Sequence, residues 1–229
     1  MQDFSQARNQ VLQQIQHACD LAHRTDVAKL LAVSKTHDAD TVRAMYDVGQ
    51  RSFGENYLQE ACHKIDELKD LEIQWHFIGH VQRNKTKLIA AHFSWVHGVD
   101  RLIIAQRLSE QRGHELPPLN ICIQVNIDAQ DSKDGCAPED VIAMVEKIQQ
   151  LPHIQLRGLM VIPAPNHTQA FFDAQALFKK VALAYPTLQS WDTLSMGMSG
   201  DLLPAIQAGS TLVRIGTALF GARDYSQDR

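Results

Sequence analysis

The sequence has little from which to build a disulfide frame, a membrane span or a polyanion-binding surface. Its 229 residues include only four cysteines, Cys19, Cys62, Cys122 and Cys136. None forms a Cys-x-x-Cys pair, so reduced thiols of a cytoplasmic protein are expected rather than a disulfide scaffold. Lys and Arg number 22 against 26 Asp and Glu, a formal net charge of −4. Such a chain has no basic field to gain from counterion release, which argues against nucleic acid as a partner. The local cluster Arg83, Lys85 and Lys87 reads as the solvated start of a helix. No run approaches the ~20 apolar residues that cross a bilayer, so no membrane association is expected. The opening Met1-Gln2-Asp3-Phe4 stretch lacks a basic region followed by an apolar one, and no secretory signal is expected. A phosphate-binding P-loop, a G-x-G-x-x-G fingerprint and a G-x-S-x-G nucleophile elbow are also missing.

What is present is alternation. With 45% hydrophobic residues, the chain can bury a full core, and one domain over residues 1–229 is expected. Phe4, Ala7, Val11, Ile15, Ala18 and Ala22 lie on one stripe at helical spacing. Short, mostly apolar strands are then expected at 29–35, 51–56, 73–79, 94–99, 119–127, 155–162, 193–198 and 211–220. Helices separate them. Asp40 is a candidate cap for the helix carrying Val42 and Met45, which stops at Gly49. Pro138-Glu139-Asp140 is a first-turn signature for a helix through Ile148. Further helices are expected over 168–185, ending at Pro186, and over 202–208, ending at Gly209. Eight strands each followed by a helix fit an α/β fold, a parallel (β/α)8 barrel of the TIM type. Only a short tail, 222–229, follows the last strand, so the N-terminal helix is expected to fill the place of the missing final helix.

Lys35 ends the run Leu30-Leu31-Ala32-Val33-Ser34-Lys35. Alternation puts Leu31, Val33 and Lys35 on one strand face. If that face points inward, Lys35 is a partly desolvated amine at the functional rim, where its neutral, nucleophilic form becomes accessible. A solvated strand-end lysine is the plain alternative. Arg214 sits in the apolar run Val213-Arg214-Ile215-Gly216-Thr217 and must find acceptors, because a guanidinium only donates. Either an internal salt bridge or a ligand atom would serve. Ser199-Gly200-Asp201 opens a short helix after the seventh strand, and Gly216-Thr217 ends the eighth. Phosphates on such barrels sit at those two places. Asn56 ends the second strand, with Glu55 facing the other way. An amine opposite an anion cradle suits a phosphate-bearing aldehyde such as pyridoxal 5'-phosphate, or a sugar phosphate in a Schiff-base aldolase. His76 and His80 have metal-ligand spacing only on a helix; on a strand they lie about 13 Å apart, and no metal is expected there.

Several motifs come in a distinctive order: Ala32-Val33-Ser34-Lys35, Phe53-Gly54-Glu55-Asn56-Tyr57, Trp75-His76-Phe77-Ile78-Gly79 followed by Gln82-Arg83-Asn84-Lys85, Arg157-Gly158-Leu159-Met160, Leu194-Ser195-Met196-Gly197-Met198-Ser199, and Val213-Arg214-Ile215-Gly216-Thr217. In these, the chain resembles the pyridoxal-phosphate homeostasis proteins, relatives of the alanine racemase N-terminal barrel. The resemblance covers residues 29–221. It implies that Lys35 carries the cofactor as a Schiff base, that Arg214 faces the pyridine nitrogen, that Ser199, Gly216 and Thr217 hold the phosphate, and that Asn56 touches the ring. It also implies a cytoplasmic carrier that delivers pyridoxal phosphate to apoenzymes, and a monomer is expected. The alternative is a racemase-like enzyme. Racemisation needs a second acid/base, which the racemases take from an additional C-terminal domain, and this chain stops at Arg229. One departure is visible: Gln130 stands where the family places a glutamate before the lysine, here Lys133, so no role for that loop is carried over.

Overall fold

A computed structural model of the chain describes residues 3–130 and 133–221, so the expected tail at 222–229 lies outside the described residues. Eight strands form one closed parallel barrel in sequential order: β1 (Lys29–Val33), β2 (Ser52–Glu55), β3 (Gln74–Phe77), β4 (Trp95–Val99), β5 (Leu119–Gln124), β6 (Ile154–Met160), β7 (Thr193–Ser195) and β8 (Leu212–Ile215). The helices are α1 (Phe4–Leu21), α2 (Ala39–Asp47), α3 (Leu58–Glu67), α4 (Thr86–His92), α5 (Leu102–Gln111), α6 (Val141–Ile148), α7 (Gln169–Ala184), α8 (Leu202–Gln207) and α9 (Thr217–Phe220). Pro138–Asp140 forms a 3-10 turn that leads into α6, as the first-turn signature implies.

Burial on both faces explains the apolar strands. Val96, Ile121, Ile123, Leu159, Leu194, Val213 and Ile215 belong to the main core beneath the helices. Alternate residues point into the barrel, where Trp95, Cys122 and Met160 make a small separate cluster. Gly54 has to be small there, because a Cβ would come within 3.2 Å of the Leu31 and Ile78 side chains.

Several expected boundaries move. β1 ends at Val33, so Lys35 lies on the loop beyond the strand. β8 ends at Ile215; the chain then turns at Gly216 into the single-turn α9 instead of continuing as strand to residue 220. β5 stops at Gln124 because Val125 pairs with Cys136 of its own connecting loop. The cap of α2 is Asp38, whose carboxylate accepts from the Thr41 N–H at 2.8 Å; Asp40 stands in the first turn. Either acid favours a helix start, but only the residue with extended backbone aims its oxygen at the orphan N–H groups.

α1 packs against α8 and α9 and touches α2, closing the ring of helices where, among the described residues, β8 is followed by only one turn. Asp3 caps it by accepting from the Gln6 N–H. Val11 and Ile15 are buried, and Phe4 meets Phe220 edge-on at 6.3 Å. Because Ile15 is fully buried, Ile15→Ala should cost about 2–5 kcal/mol, read as a lower midpoint in urea unfolding with unchanged slope. A loss below 1 kcal/mol would show that α1 is not part of the cooperative core.

Candidate functional site

At the C-terminal mouth of the barrel, a cavity of about 260 Å³ is lined by Lys35, Asn56, Ser199, Arg214, Gly216 and Thr217, the six residues singled out in the sequence. They come from four separate stretches of chain. Val33, His37, Ile78, Ile162, Met198, Gly200 and Gly221 complete the lining. Ser199, Gly200 and Thr217 are exposed at the rim, and Arg214 is 5% exposed at the base. The Asn56 side-chain oxygen is buried and accepts no hydrogen bond among the described residues. Its backbone is pinned by Gly79, where any Cβ would stand 2.3 Å from the Asn56 carbonyl oxygen. Gly200 faces open space, with nothing within 4 Å of the Cβ it lacks. His37, which the sequence reading did not single out, stacks on Phe220 with ring centroids 4.8 Å apart.

Among the described residues, buried Arg214 forms no salt bridge and is held by neutral acceptors. Its Nη1 donates to Ser195 Oγ at 2.8 Å and its Nη2 to the Val161 carbonyl at 3.0 Å. Burial lowers its pKa to about 10, against the pull of Asp201, so it remains charged near neutrality. The contact to Ser195 continues inward. His97 Nδ1 lies 2.9 Å from Ser195 Oγ, His97 Nε2 lies 2.9 Å from His76 Nδ1, and His76 Nε2 lies 3.2 Å from Gln74 Oε1. An arginine can only donate, so it occupies a lone pair of Ser195, and the serine hydroxyl is free to donate to His97. His97 then donates from Nε2 to His76, and His76 donates from Nε2 to Gln74. The Gln74 oxygen at the far end can only accept, so it makes His76 Nε2 a donor and sets the same direction along a buried chain that runs to the opposite mouth. This arrangement requires both imidazoles to be neutral. Burial, reinforced by the Lys29 charge, lowers the His76 pKa to about 3; burial, His76 and Arg214 hold His97 well below its ordinary range.

A second buried network lies behind the cavity. Glu55 faces away from the barrel interior, as alternation requires, and its Oε1 accepts from Ser34 Oγ at 2.6 Å and Lys64 Nζ at 2.7 Å. Burial raises the Glu55 pKa against the opposing influence of Lys64. The i,i+4 pair Glu60–Lys64 was the one sequence signal of this network.

His76 and His80 are not partners. His76 is inside the barrel, whereas His80 is exposed and sits 3.0 Å from Asp134. In the loop that departs from the family pattern, the Gln130 N–H donates to Asn126 Oδ1 at 3.1 Å. Lys133 Nζ donates to Asp128 at 3.3 Å and to the Ile162 carbonyl at 2.9 Å.

Neutral burial of two histidines has a pH signature. A histidine with a depressed folded pKa binds more protons when unfolded, so its contribution is complete above the unfolded pKa of ~6.5. It is lost as pH falls toward about 3. In that window each of the two should steepen the acid loss of stability by up to ~1.4 kcal/mol per pH unit. Replacing His97 with Asn should flatten the slope measured by urea unfolding between pH 6 and 4. An unchanged slope would mean that His97 is already charged in the folded protein.

A family model described as the alanine racemase N-terminal domain matches residues 8–224. The chain is 51% identical over 226 residues to the pyridoxal phosphate homeostasis protein of Pasteurella multocida, covering 95% of this chain and 97% of that one. It is 59% identical over 196 residues to the protein of the same name from Pseudomonas aeruginosa, covering 86% and 85%. Among solved structures, Synechococcus elongatus PipY with PLP bound superposes with a TM-score of 0.84 at 34% identity, over 96% of this chain and 100% of that one. Alanine racemase from Corynebacterium glutamicum, at 16% identity and a TM-score of 0.64, shares the fold, and this chain covers 62% of its length. The chain belongs to the pyridoxal phosphate homeostasis protein family, built on the alanine racemase N-terminal domain.

Proposed function

We propose that this protein binds pyridoxal 5'-phosphate, holds it as a Schiff base on Lys35 and serves in keeping and delivering the cofactor, without strong catalysis of its own. The observation that carries the reading is the convergence of Lys35, Asn56, Ser199, Arg214, Gly216 and Thr217 on one cavity. The donor set fits the group. Pyridoxal phosphate supplies an aldehyde that condenses with a primary amine, a pyridine nitrogen and a phosphate that needs donors. Lys35 is the amine in the lining. Ser199 and Thr217 offer hydroxyls beside the open backbone of Gly200 and Gly216. The partnerless Asn56 oxygen is an acceptor placed for a ring substituent that donates.

Arg214 governs the chemistry. A charged guanidinium donates and cannot accept, so a ring nitrogen set against it keeps its lone pair. An unprotonated ring is a weak sink for carbanion electrons, which favours holding over turnover. Racemisation also needs a second proton-transfer group on the far side of the ring. Of the ionisable side chains in the lining, among the described residues only His37 and Lys35 are candidates, and both come from the one loop after β1. The rim on the phosphate side is exposed, which suits release to apoenzymes.

Borohydride reduction of the cofactor-loaded protein should fix a pyridoxyl-phosphate adduct on the Lys35 peptide, seen by mass spectrometry and absent from Lys35→Ala. An adduct elsewhere, or none, overturns the assignment. Arg214→Glu should shift the visible absorption maximum by offering the ring nitrogen an acceptor. A spectrum identical to the wild type would separate Arg214 from the ring. Offered a panel of L-amino acids, the purified protein should show no Lys35-dependent turnover; appreciable turnover would favour the racemase reading.

A further inference from the structure

Three charged side chains behind the cavity converge on the two residues that flank Lys35. Lys64 on α3 is 3% exposed and Glu55 is 0% exposed. A buried pair of this kind gains little net stability over apolar residues of equal volume, because desolvation offsets attraction. Its contacts suggest another use. Lys64 Nζ donates to the Ser34 carbonyl at 2.9 Å, while Glu55 accepts from the Ser34 hydroxyl at 2.6 Å. Glu60, bound to the same Lys64 amine at 2.7 Å, accepts from the Thr36 backbone N–H at 2.6 Å. The backbone on each side of Lys35 is therefore tied to one cluster. Thr36 has a φ of 67°, in the left-handed region that a β-branched residue disfavours. The turn has one bond of its own, from the His37 N–H to the Ser34 carbonyl at 3.1 Å, and the cluster adds those that tie it to β2 and α3.

We propose that Lys64, together with Glu55 and Glu60, is a positioning group for Lys35, fixing the 34–36 backbone so that the amine enters the cavity in one orientation. The purpose rests on the Lys35 reading above; the clamp itself does not. Lys64 Nζ grips three groups at once, the Ser34 carbonyl, Glu55 and Glu60, and none of them is the ligand, so it acts only through the loop. The cluster also ties that loop to β2, the strand that leads into Asn56. Amine and ring contact are thereby set by one framework.

Two readouts separate the clamp from its purpose. Hydrogen exchange of the Thr36 amide in cofactor-free protein should quicken by about tenfold or more in Lys64→Met and in Glu60→Met, since a lost local bond opens the loop without global unfolding. Glu60→Met removes the acceptor for the Thr36 N–H, leaves the buried Glu55–Lys64 pair intact and serves if Lys64→Met folds poorly. The second readout adds pyridoxal phosphate, traps with borohydride at timed intervals and measures the adduct on residue 35. Both variants should slow by about tenfold or more, as expected when a reacting group is misplaced. Val181→Ala, a buried change on α7, controls for general loss of stability and should trap at the wild-type rate. Unchanged Thr36 exchange overturns the clamp. Faster exchange with wild-type trapping, or equal slowing in Val181→Ala, overturns the positioning role. A wild-type protein that never forms the residue 35 adduct overturns the function and the purpose together, while the exchange data still report on the clamp.

Discussion

The hydrogen-bonded ladder between β1 and β8 is the constraint on which this site depends. It pairs Leu31 with Arg214 and Ala32 with Ile215, joining the first strand to the last. A parallel sheet of eight strands satisfies its edges only by closing. Closure brings the loop carrying Lys35 beside the turn carrying Gly216 and Thr217. The same closure leaves a gap in the outer layer, since among the described residues β8 is followed by a single helical turn. α1 fills that gap and reaches the site indirectly: Phe4 meets Phe220, and Phe220 stacks on His37 in the cavity lining.

Within the barrel, one permanent charge orders its surroundings. Arg214 donates to a serine hydroxyl at one end of the chain, and the Gln74 oxygen accepts at the other, with His97 and His76 between them. Neutral histidines are the arrangement that a low-dielectric interior beside a cation favours. Behind the barrel wall the logic is reversed. Lys64 and two carboxyl groups form a cluster that binds the backbone around residue 35, while Glu55 Oε2 is buried with no partner among the described residues. The cavity thus has a cation at its base and a carboxylate-rich brace behind its lysine.

Much of this was readable from the chain. Short, mostly apolar runs located all eight strands, although most were drawn too long, the first, fifth and last among them. Nothing in the residues from Ser34 to Lys35, or from Gly216 to Phe220, distinguishes a strand end from the turn that follows it. The choice of Asp40 over Asp38 as a cap failed for a similar reason, because both acids suit a helix start and backbone geometry decides between them. Arg214 was legible as a buried guanidinium in search of acceptors, but not the identity of those acceptors. Ser195 and Val161 reach it from two other strands. His76 was read only against His80, and His97 was not singled out; the register pairing His76 with Trp95 is what brings their rings together.

Taken alone, the sequence determined the barrel, its order of strands and the side chains that carry chemistry, because local periodicity and side-chain type are properties of short stretches. The tertiary structure alone decided the tautomers along the buried chain, the brace behind Lys35 and the shape of the cavity. Those depend on which atoms of distant segments meet within hydrogen-bonding distance, and that is set by barrel closure and strand register.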